Sequence, residues 1–367
     1  MCYLTGPPWA LTRLRAALGA LCVSLALLAT ASSQPARGPS ANSGDSPATI
    51  ENPIIGYVAQ SSPPELRAIL GVPGAAVFSD PLALPRQVTR IHLAPGQPYA
   101  LLERSHAAPL VLQLNGSNPG QMDSMAGVLP GADIVAFSPH AHSAALFSGR
   151  AGRLQVITDL PGAPRITQDI DSGLLPEPPL AMAISDDGRS VFLSSARTVY
   201  LLLPDGSTRV VIGVAGIAAL AFFPNTGNAV IGDRSTGSVY MVQGLQDGIT
   251  TSVLATGLDG LGEISAEGNS GTVYITRPSG RCIWSVVPSG EVRAFQLEVS
   301  PLRLDRLRNM DTFLISSEPG SPGWVFLRRG DDAQTVFVPA ARGPGKVRRH
   351  VEPLAGARGD YSSPGEN

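Results

Sequence analysis

The stretch "ISDDGRSVFLSS" (residues 184–195) contains the unit that determines the fold. An apolar strand ends, a polar turn follows, and a second apolar run returns. Glycine tolerates a positive φ and aspartate can bond its own backbone, so "SDDG" predicts a hairpin turn. A calcium loop is not expected, because Asp186 and Asp187 are adjacent rather than alternating and no glutamate follows at the loop spacing.

The same unit occurs six times. Taking one matching position in each unit, the steps along the chain are 44, 47, 38, 43 and 41 residues. A period of about 40 residues is the signature of a repeat fold. The matching positions are Ala94, Ser138, Ser185, Phe223, Ala266 and Leu307.

Each unit continues with further strand-like segments. In the unit at Ser185 these are "RTVYLLL" (197–203) and "TRVVIG" (208–213), whereas the fourth segment of the first unit, around "QMDSMAG" (121–127), is weak. Four short antiparallel strands per repeat are typical of a propeller blade, and strands that are apolar at nearly every position indicate sheets buried on both faces. We therefore predict an all-β propeller over residues 54–340.

The number of blades depends on the segments before the first full unit. "NPIIGYV" (52–58) and "LRAILG" (66–71) look like a third and a fourth strand. They form part of a seventh, incomplete blade, or one strand assigned to the last unit lies elsewhere. The six full repeats favour six blades, with seven as the alternative.

The turns resemble those of bacterial NHL and YVTN propeller repeats, and more loosely WD-type repeats. The residues that carry this resemblance are "SPHA" at 138, "SDDG" at 185, "FPNTG" at 223 and "SAEG" at 265, while the Trp-Asp dipeptide of the WD class is absent. The resemblance implies a propeller with a central channel. Such propellers include binding scaffolds and enzymes, so the fold does not choose a function.

The N-terminus has the pattern of a secretory signal peptide. Arg13 and Arg15 precede an apolar run over residues 16–29, and an Ala-x-Ala site ends at Ala31. We expect cleavage there and a secreted or periplasmic protein, with an uncleaved membrane anchor as the alternative. Residues 32–53 and 341–367 have the composition of a disordered linker and tail.

Charge and cysteine content restrict the expected partners. The net charge of −2 gives no reason to expect binding to nucleic acid or to an acidic membrane, and we expect a monomer. After cleavage only Cys282 remains, which predicts a small buried side chain rather than a disulfide or a nucleophile.

The innermost strands supply the candidate binding residues, which are His92, Glu263, Arg303 and Asp305. Arg303 and Asp305 are two residues apart on a strand and share a face, so we expect them to pair. No metal or cofactor is predicted. His140 and His142 fall in a turn without a neighbouring carboxylate, which predicts a surface turn rather than a metal site.

Two functions are compatible with these residues. The first is a non-enzymatic scaffold that binds an unknown protein or small molecule at one mouth of the channel. The alternative is a metal-dependent hydrolase or lactonase, since a gluconolactonase-like propeller holds its metal with Glu, Asn and Asp from several blades. By position, the ligand candidates of such an enzyme are Glu103, Glu263, Asp305 and Glu318, with Asn225 or Asn269.

Overall fold

A computed structural model describes residues 53–116, 120–246, 248–268, 270–308, 312–316, 323–329 and 332–339. The described residues form seven antiparallel sheets arranged as a propeller. The first sheet has three strands and the other six have four. A 3-10 helix of three residues, Ser172–Leu174, is the one helical element of the described residues. The predicted all-β propeller is confirmed.

The strands are numbered in chain order, and each sheet is one blade. Blade 1 contains β1 (Ile54–Ser61), β2 (Pro64–Val72) and β3 (Ala75–Phe78). Blade 2 contains β4 (Val88–Leu93), β5 (Tyr99–Arg104), β6 (Leu110–Gln113) and β7 (Met122–Ser124). Blade 3 contains β8 (Ile134–Phe137), β9 (Ala144–Ser148), β10 (Arg153–Thr158) and β11 (Arg165–Asp171). Blade 4 contains β12 (Ala181–Ile184), β13 (Val191–Ser194), β14 (Thr198–Leu202) and β15 (Thr208–Gly213).

The remaining blades follow the same order. Blade 5 contains β16 (Ala218–Phe222), β17 (Ala229–Asp233), β18 (Ser238–Gln243) and β19 (Thr250–Ala255). Blade 6 contains β20 (Ile264–Ala266), β21 (Val273–Arg277), β22 (Cys282–Val286) and β23 (Val292–Gln296). Blade 7 contains β24 (Arg303–Arg306), β25 (Thr312–Ser316), β26 (Gly323–Arg329) and β27 (Asp332–Val338).

The repeated turn joins the first and second strands of blades 2 to 7. In each of them the amide that opens the turn donates to the carbonyl five residues later. In blade 4 the Asp187 carboxylate accepts from the Ser185 hydroxyl at 2.6 Å and from the Arg189 amide at 3.0 Å, and Gly188 has a φ of 69°. The opening amides belong to Ala94, Ser138, Ser185, Phe223, Glu267 and Leu307, so the match at Ala266 is off by one residue.

Apolar side chains from both faces of each blade fill the gaps between neighbours. The second strands β9, β13 and β17 are buried along their whole length, because they lie between two other blades. Between blades 4 and 5, for example, the rings of Phe192 and Phe222 are 4.9 Å apart. Blades 7 and 1 share a cluster that includes Phe78 and Val325, so the first and last blades also pack together.

The prediction of six blades is wrong, and the alternative of seven is correct. Six blades were favoured because blade 1, which was considered only as a possible incomplete blade, has no repeated turn. Its strands match the second, third and fourth strands of the other blades, not the third and fourth alone. In blade 4 the Val214 amide, just after the fourth strand, donates to Arg197, just before the third. The Leu82 amide makes the corresponding bond to Leu66, at the start of β2.

Blade 1 therefore lacks the innermost strand among the described residues. In its absence the blade 2 turn meets the end of β24 directly, since the Gly96 amide donates to the Arg306 carbonyl at 3.2 Å. The Gln97 side chain forms hydrogen bonds to the β1 backbone of the kind that an innermost strand would form. Its carbonyl oxygen accepts from the Tyr57 amide at 2.7 Å, and its amide nitrogen donates to the Tyr57 carbonyl at 2.8 Å. Gln97 is fully buried.

Some predictions fall on residues that the structure does not describe. The signal peptide at 1–31, nearly all of the linker at 32–53 and the tail at 341–367 stay predictions for this reason. Among the described residues, no helix has the length and apolar character needed to cross a membrane. Cys282 is buried between blades 5 and 6.

Candidate functional site in the central channel

The central channel is a cavity of about 290 Å³, and six innermost strands line it. These are β4, β8, β12, β16, β20 and β24, one from each of blades 2 to 7. Alternate residues of a strand share a face, so positions two and four residues before each turn are equivalent around the ring. All four sequence-predicted residues, His92, Glu263, Arg303 and Asp305, line this cavity.

The equivalent positions divide the wall into two halves. Blades 3, 4 and 5 carry small or apolar side chains there, whereas blades 2, 6 and 7 carry polar or charged ones. Two residues before the turn the side chains are His92, Ala136, Ala183, Ala221, Ser265 and Asp305. Four residues before the turn they are Arg90, Ile134, Ala181, Ala219, Glu263 and Arg303. Of this second set, Glu263 and Arg303 line the cavity.

Arg303 and Asp305 form the ion pair that their spacing predicts. Nε of Arg303 lies 2.8 Å from Oδ1 of Asp305, and Nη2 donates to Oδ2 at 3.0 Å. The Ser316 hydroxyl donates to the same Oδ2 at 2.7 Å, so both carboxylate oxygens are engaged. The Asp305 charge, partly opposed by burial, raises the pKa of Arg303 above its usual value. This two-point contact largely neutralises both side chains.

Glu263 stands immediately before β20, near the Arg303–Asp305 pair. Its amide donates to the Thr276 hydroxyl at 2.8 Å, which fixes the backbone there. Solvent reaches the carboxylate through the channel, but the surrounding walls reduce its hydration. Partial burial is the largest cause and raises the pKa of Glu263. Of the nearby charges, Arg303 and Arg234 lower this pKa and Asp305 raises it. The net direction is upward, because burial is the largest effect.

His92 bonds to a carboxylate that the channel does not expose. Its Nε2 lies 2.8 Å from Oε1 of Glu103, which is 3% exposed on the neighbouring strand β5. Glu103 is therefore committed to His92 and lies behind the wall rather than in the channel. His92 comes from blade 2 and Glu263 from blade 6, and no contact joins His92 to the Arg303–Asp305 pair.

At the turn end of the channel, Asp186 connects three blades. Its Oδ1 accepts from the His140 amide at 2.7 Å, and its Oδ2 lies 2.9 Å from His140 Nδ1 and accepts from the Asn225 amide at 3.0 Å. Burial raises the pKa of Asp186, but these hydrogen bonds outweigh it and hold the pKa below its usual range. The prediction that His140 has no neighbouring carboxylate is therefore wrong.

The residues proposed as ligands of a metal-dependent enzyme do not converge. Glu103 is bonded to His92, Asp305 is bonded to Arg303, and Asn225 does not line the cavity. Glu318 and Asn269 fall outside the described residues. Within the part of the chain that the structure describes, no group of three or more His, Cys, Asp or Glu side chains is placed to hold a metal ion.

Sequence reasoning missed Gln97 and the role of Asp186. Gln97 lies in a turn, where a polar residue suggests exposure, and nothing local reveals the missing strand opposite it.

Asp186 was assigned to turn geometry alone. Its partners are 46 and 39 residues away, in the equivalent turns of the adjacent blades. Aligning the repeated turns, which places His140, Asp186 and Asn225 side by side, is the signal that could have revealed this contact.

No family model and no curated protein matches the chain. Solved structures do match it. A functionally unknown protein from Desulfotomaculum acetoxidans is 15% identical with a TM-score of 0.57, covering 78% of this chain and 100% of that one. A Lactobacillus plantarum protein is 13% identical with a TM-score of 0.52, covering 78% and 96%. A catalytically inactive virginiamycin B lyase from Staphylococcus aureus, solved with quinupristin, is 14% identical with a TM-score of 0.50, covering 69% and 86%. Identities this low support the propeller fold and no activity.

Proposed function

We propose that this protein is an exported, non-enzymatic binding scaffold that holds its ligand in the central channel. The observation that carries the proposal is the divided wall: blades 3 to 5 contribute only apolar side chains to the cavity, and all of its polar and charged side chains come from blades 2, 6 and 7. Apolar parts of a ligand can lie against the first half of such a wall, while the fixed polar groups of the second half set its orientation. The rigid ring keeps those groups in place.

The arrangement of the carboxylates favours binding over metal-dependent hydrolysis. A divalent cation needs several free oxygen ligands. In this channel Asp305 is engaged by Arg303 and Ser316, which leaves Glu263 as the free carboxylate of the cluster. The hydrolase alternative therefore has no specific observation in its favour.

The proposal can be tested by filling the channel. The chain without residues 1–31 is immobilised and exposed to the extracellular fraction of its source, and bound proteins and small molecules are identified by mass spectrometry. Ala221→Phe places a ring in the cavity, and Val253→Phe adds the same ring to an outer strand at a side chain that is 61% exposed. Thermal melts verify that both variants are folded.

We expect Ala221→Phe to lose the ligand that the unmodified protein and Val253→Phe retain. Identical capture by all three proteins would contradict a ligand in the channel. Turnover of a lactone that depends on added calcium would instead support the hydrolase. If Ala221→Phe does not fold, Ala183→Leu is a smaller change on the same wall and serves the same comparison.

A further inference from the structure

We propose that the channel ligand carries an organic cation, an ammonium or guanidinium group, bound by Glu263 with its apolar part against the alanines of blades 3 to 5. This inference rests on the proposed function, because it takes the channel as the binding site. It adds the chemical class of the ligand and assigns the polar contact to one residue.

Glu263 is the acceptor that the protein leaves unused. No hydrogen bond or ion pair joins its carboxylate to another described residue, although it lines the cavity. Glu263 is exposed to the channel, so its carboxylate is accessible to a ligand, and a charge-assisted hydrogen bond from a cation is a strong contact for such a group. The raised pKa of Glu263 agrees with incomplete stabilisation of the carboxylate by the protein.

The two nearby arginines, Arg303 and Arg234, do not act as the cationic partner of Glu263. Arg303 directs two of its nitrogens to Asp305, whose negative charge offsets its own. Arg234 is exposed in the turn between β17 and β18, and its Nε donates to the Gly262 carbonyl at 3.1 Å. Exposed charges are screened by water and salt, so Arg234 contributes little at the carboxylate. Glu263 thus remains the group whose charge a ligand can balance.

The opposite wall accepts the apolar part of such a ligand. Ala136, Ala183 and Ala221 occupy the level at which the polar half carries His92, Ser265 and Asp305. The other side chains that these blades contribute to the cavity, such as Phe137, Met182 and Phe222, are apolar as well. A cavity of about 290 Å³ is at the small end of ligand pockets, which suits a compact cation or a single side chain.

The test uses three probes of the same shape and different charge: benzylammonium, benzyl alcohol and benzoate. Affinities are measured by NMR titration with the unmodified protein and with Glu263→Gln, which keeps the shape and removes the charge. Asp259→Asn is the matched control, since it removes an exposed carboxylate that does not line the cavity. The pentapeptide Gly-Gly-Lys-Gly-Gly separates a free small cation from a lysine side chain of a protein.

We expect benzylammonium to bind at least about 10-fold more tightly than benzyl alcohol, as a charge-assisted hydrogen bond provides. Glu263→Gln should bring that ratio close to one, and Asp259→Asn should leave it unchanged. Because the cation prefers the ionised carboxylate, its affinity should be full above the raised pKa of Glu263 and fall as the pH drops below it. Asp305 and the two arginines are the other charges that act on this group.

Stronger binding of benzoate than of benzylammonium would overturn the inference, as would an unchanged ratio in Glu263→Gln or no binding of any cation at millimolar concentration. The proposed function fails separately. If capture from the extracellular fraction is lost in Ala221→Phe but unaffected in Glu263→Gln, the channel binds a ligand that is not a cation on Glu263.

Discussion

Replacement of Gln97 by alanine should destabilise the ring at the incomplete blade. The substitution removes both hydrogen bonds to the backbone of Tyr57, at 2.7 and 2.8 Å, from a site with no exposed surface. Each buried backbone group left without a partner costs about 1–3 kcal/mol. Water entering the space recovers part of this, so we expect a loss of about 2–4 kcal/mol in the free energy of unfolding.

The measurement is urea unfolding followed by circular dichroism, supported by thermal melts. For a chain of this length each kcal/mol shifts the melting temperature by about 2 °C, so a drop of about 4–8 °C is expected. Gln60→Ala is the control, because it removes an exposed glutamine from the same strand, β1. Equal stabilities of Gln97→Ala and Gln60→Ala would refute the view that this side chain replaces a strand.

Two further predictions concern contacts between and within blades. Asp186→Asn should cost about 1–3 kcal/mol at neutral pH by removing a charged acceptor. The pKa of Asp186 is lower in the folded protein than in the unfolded chain. The ionised carboxylate therefore contributes its full share of the unfolding free energy above the ordinary carboxyl pKa, and this share is lost as the pH falls through the lowered pKa. The unfolding curves of Asp186→Asn and of the unmodified protein should thus converge in acid. Gly237→Ala should cost about 2–4 kcal/mol, because its φ is 64° and the new Cβ would lie 2.8 Å from the Leu258 carbonyl carbon. Gly206→Ala is the control, because Gly206 has a φ of 81° and open space around the new Cβ, so it measures the cost of the backbone conformation alone. Equal losses of unfolding free energy for the two variants in calorimetry would contradict a steric clash at Gly237.

The sequence was sufficient for the fold because the blade is a local structure. Strands and turns within 40-odd residues recur at a fixed period, and each turn has its own chemistry, as in "SDDG" at 185. The blade number was wrong because the repeats were counted by that turn, which blade 1 lacks. The channel residues could be chosen by strand position, but their contacts could not. His92 meets Glu103 across a strand pair, and Asp186 meets His140 across two blades, which only the packed ring brings together.

Because blade 1 has no innermost strand among the described residues, the polar residues of the channel wall lie together on one side. In the part of the chain that the structure describes, seven blades surround a channel lined by six inner strands, so blades 7 and 2 are neighbours inside the ring although blade 1 separates them outside. The polar sides of blades 6, 7 and 2 thereby become continuous, and they face the apolar sides of blades 3, 4 and 5. A seventh inner strand would stand between Asp305 and His92 and interrupt that polar half. If the channel binds a ligand as proposed, an amphipathic molecule would have one orientation about the channel axis in which both of its faces are matched.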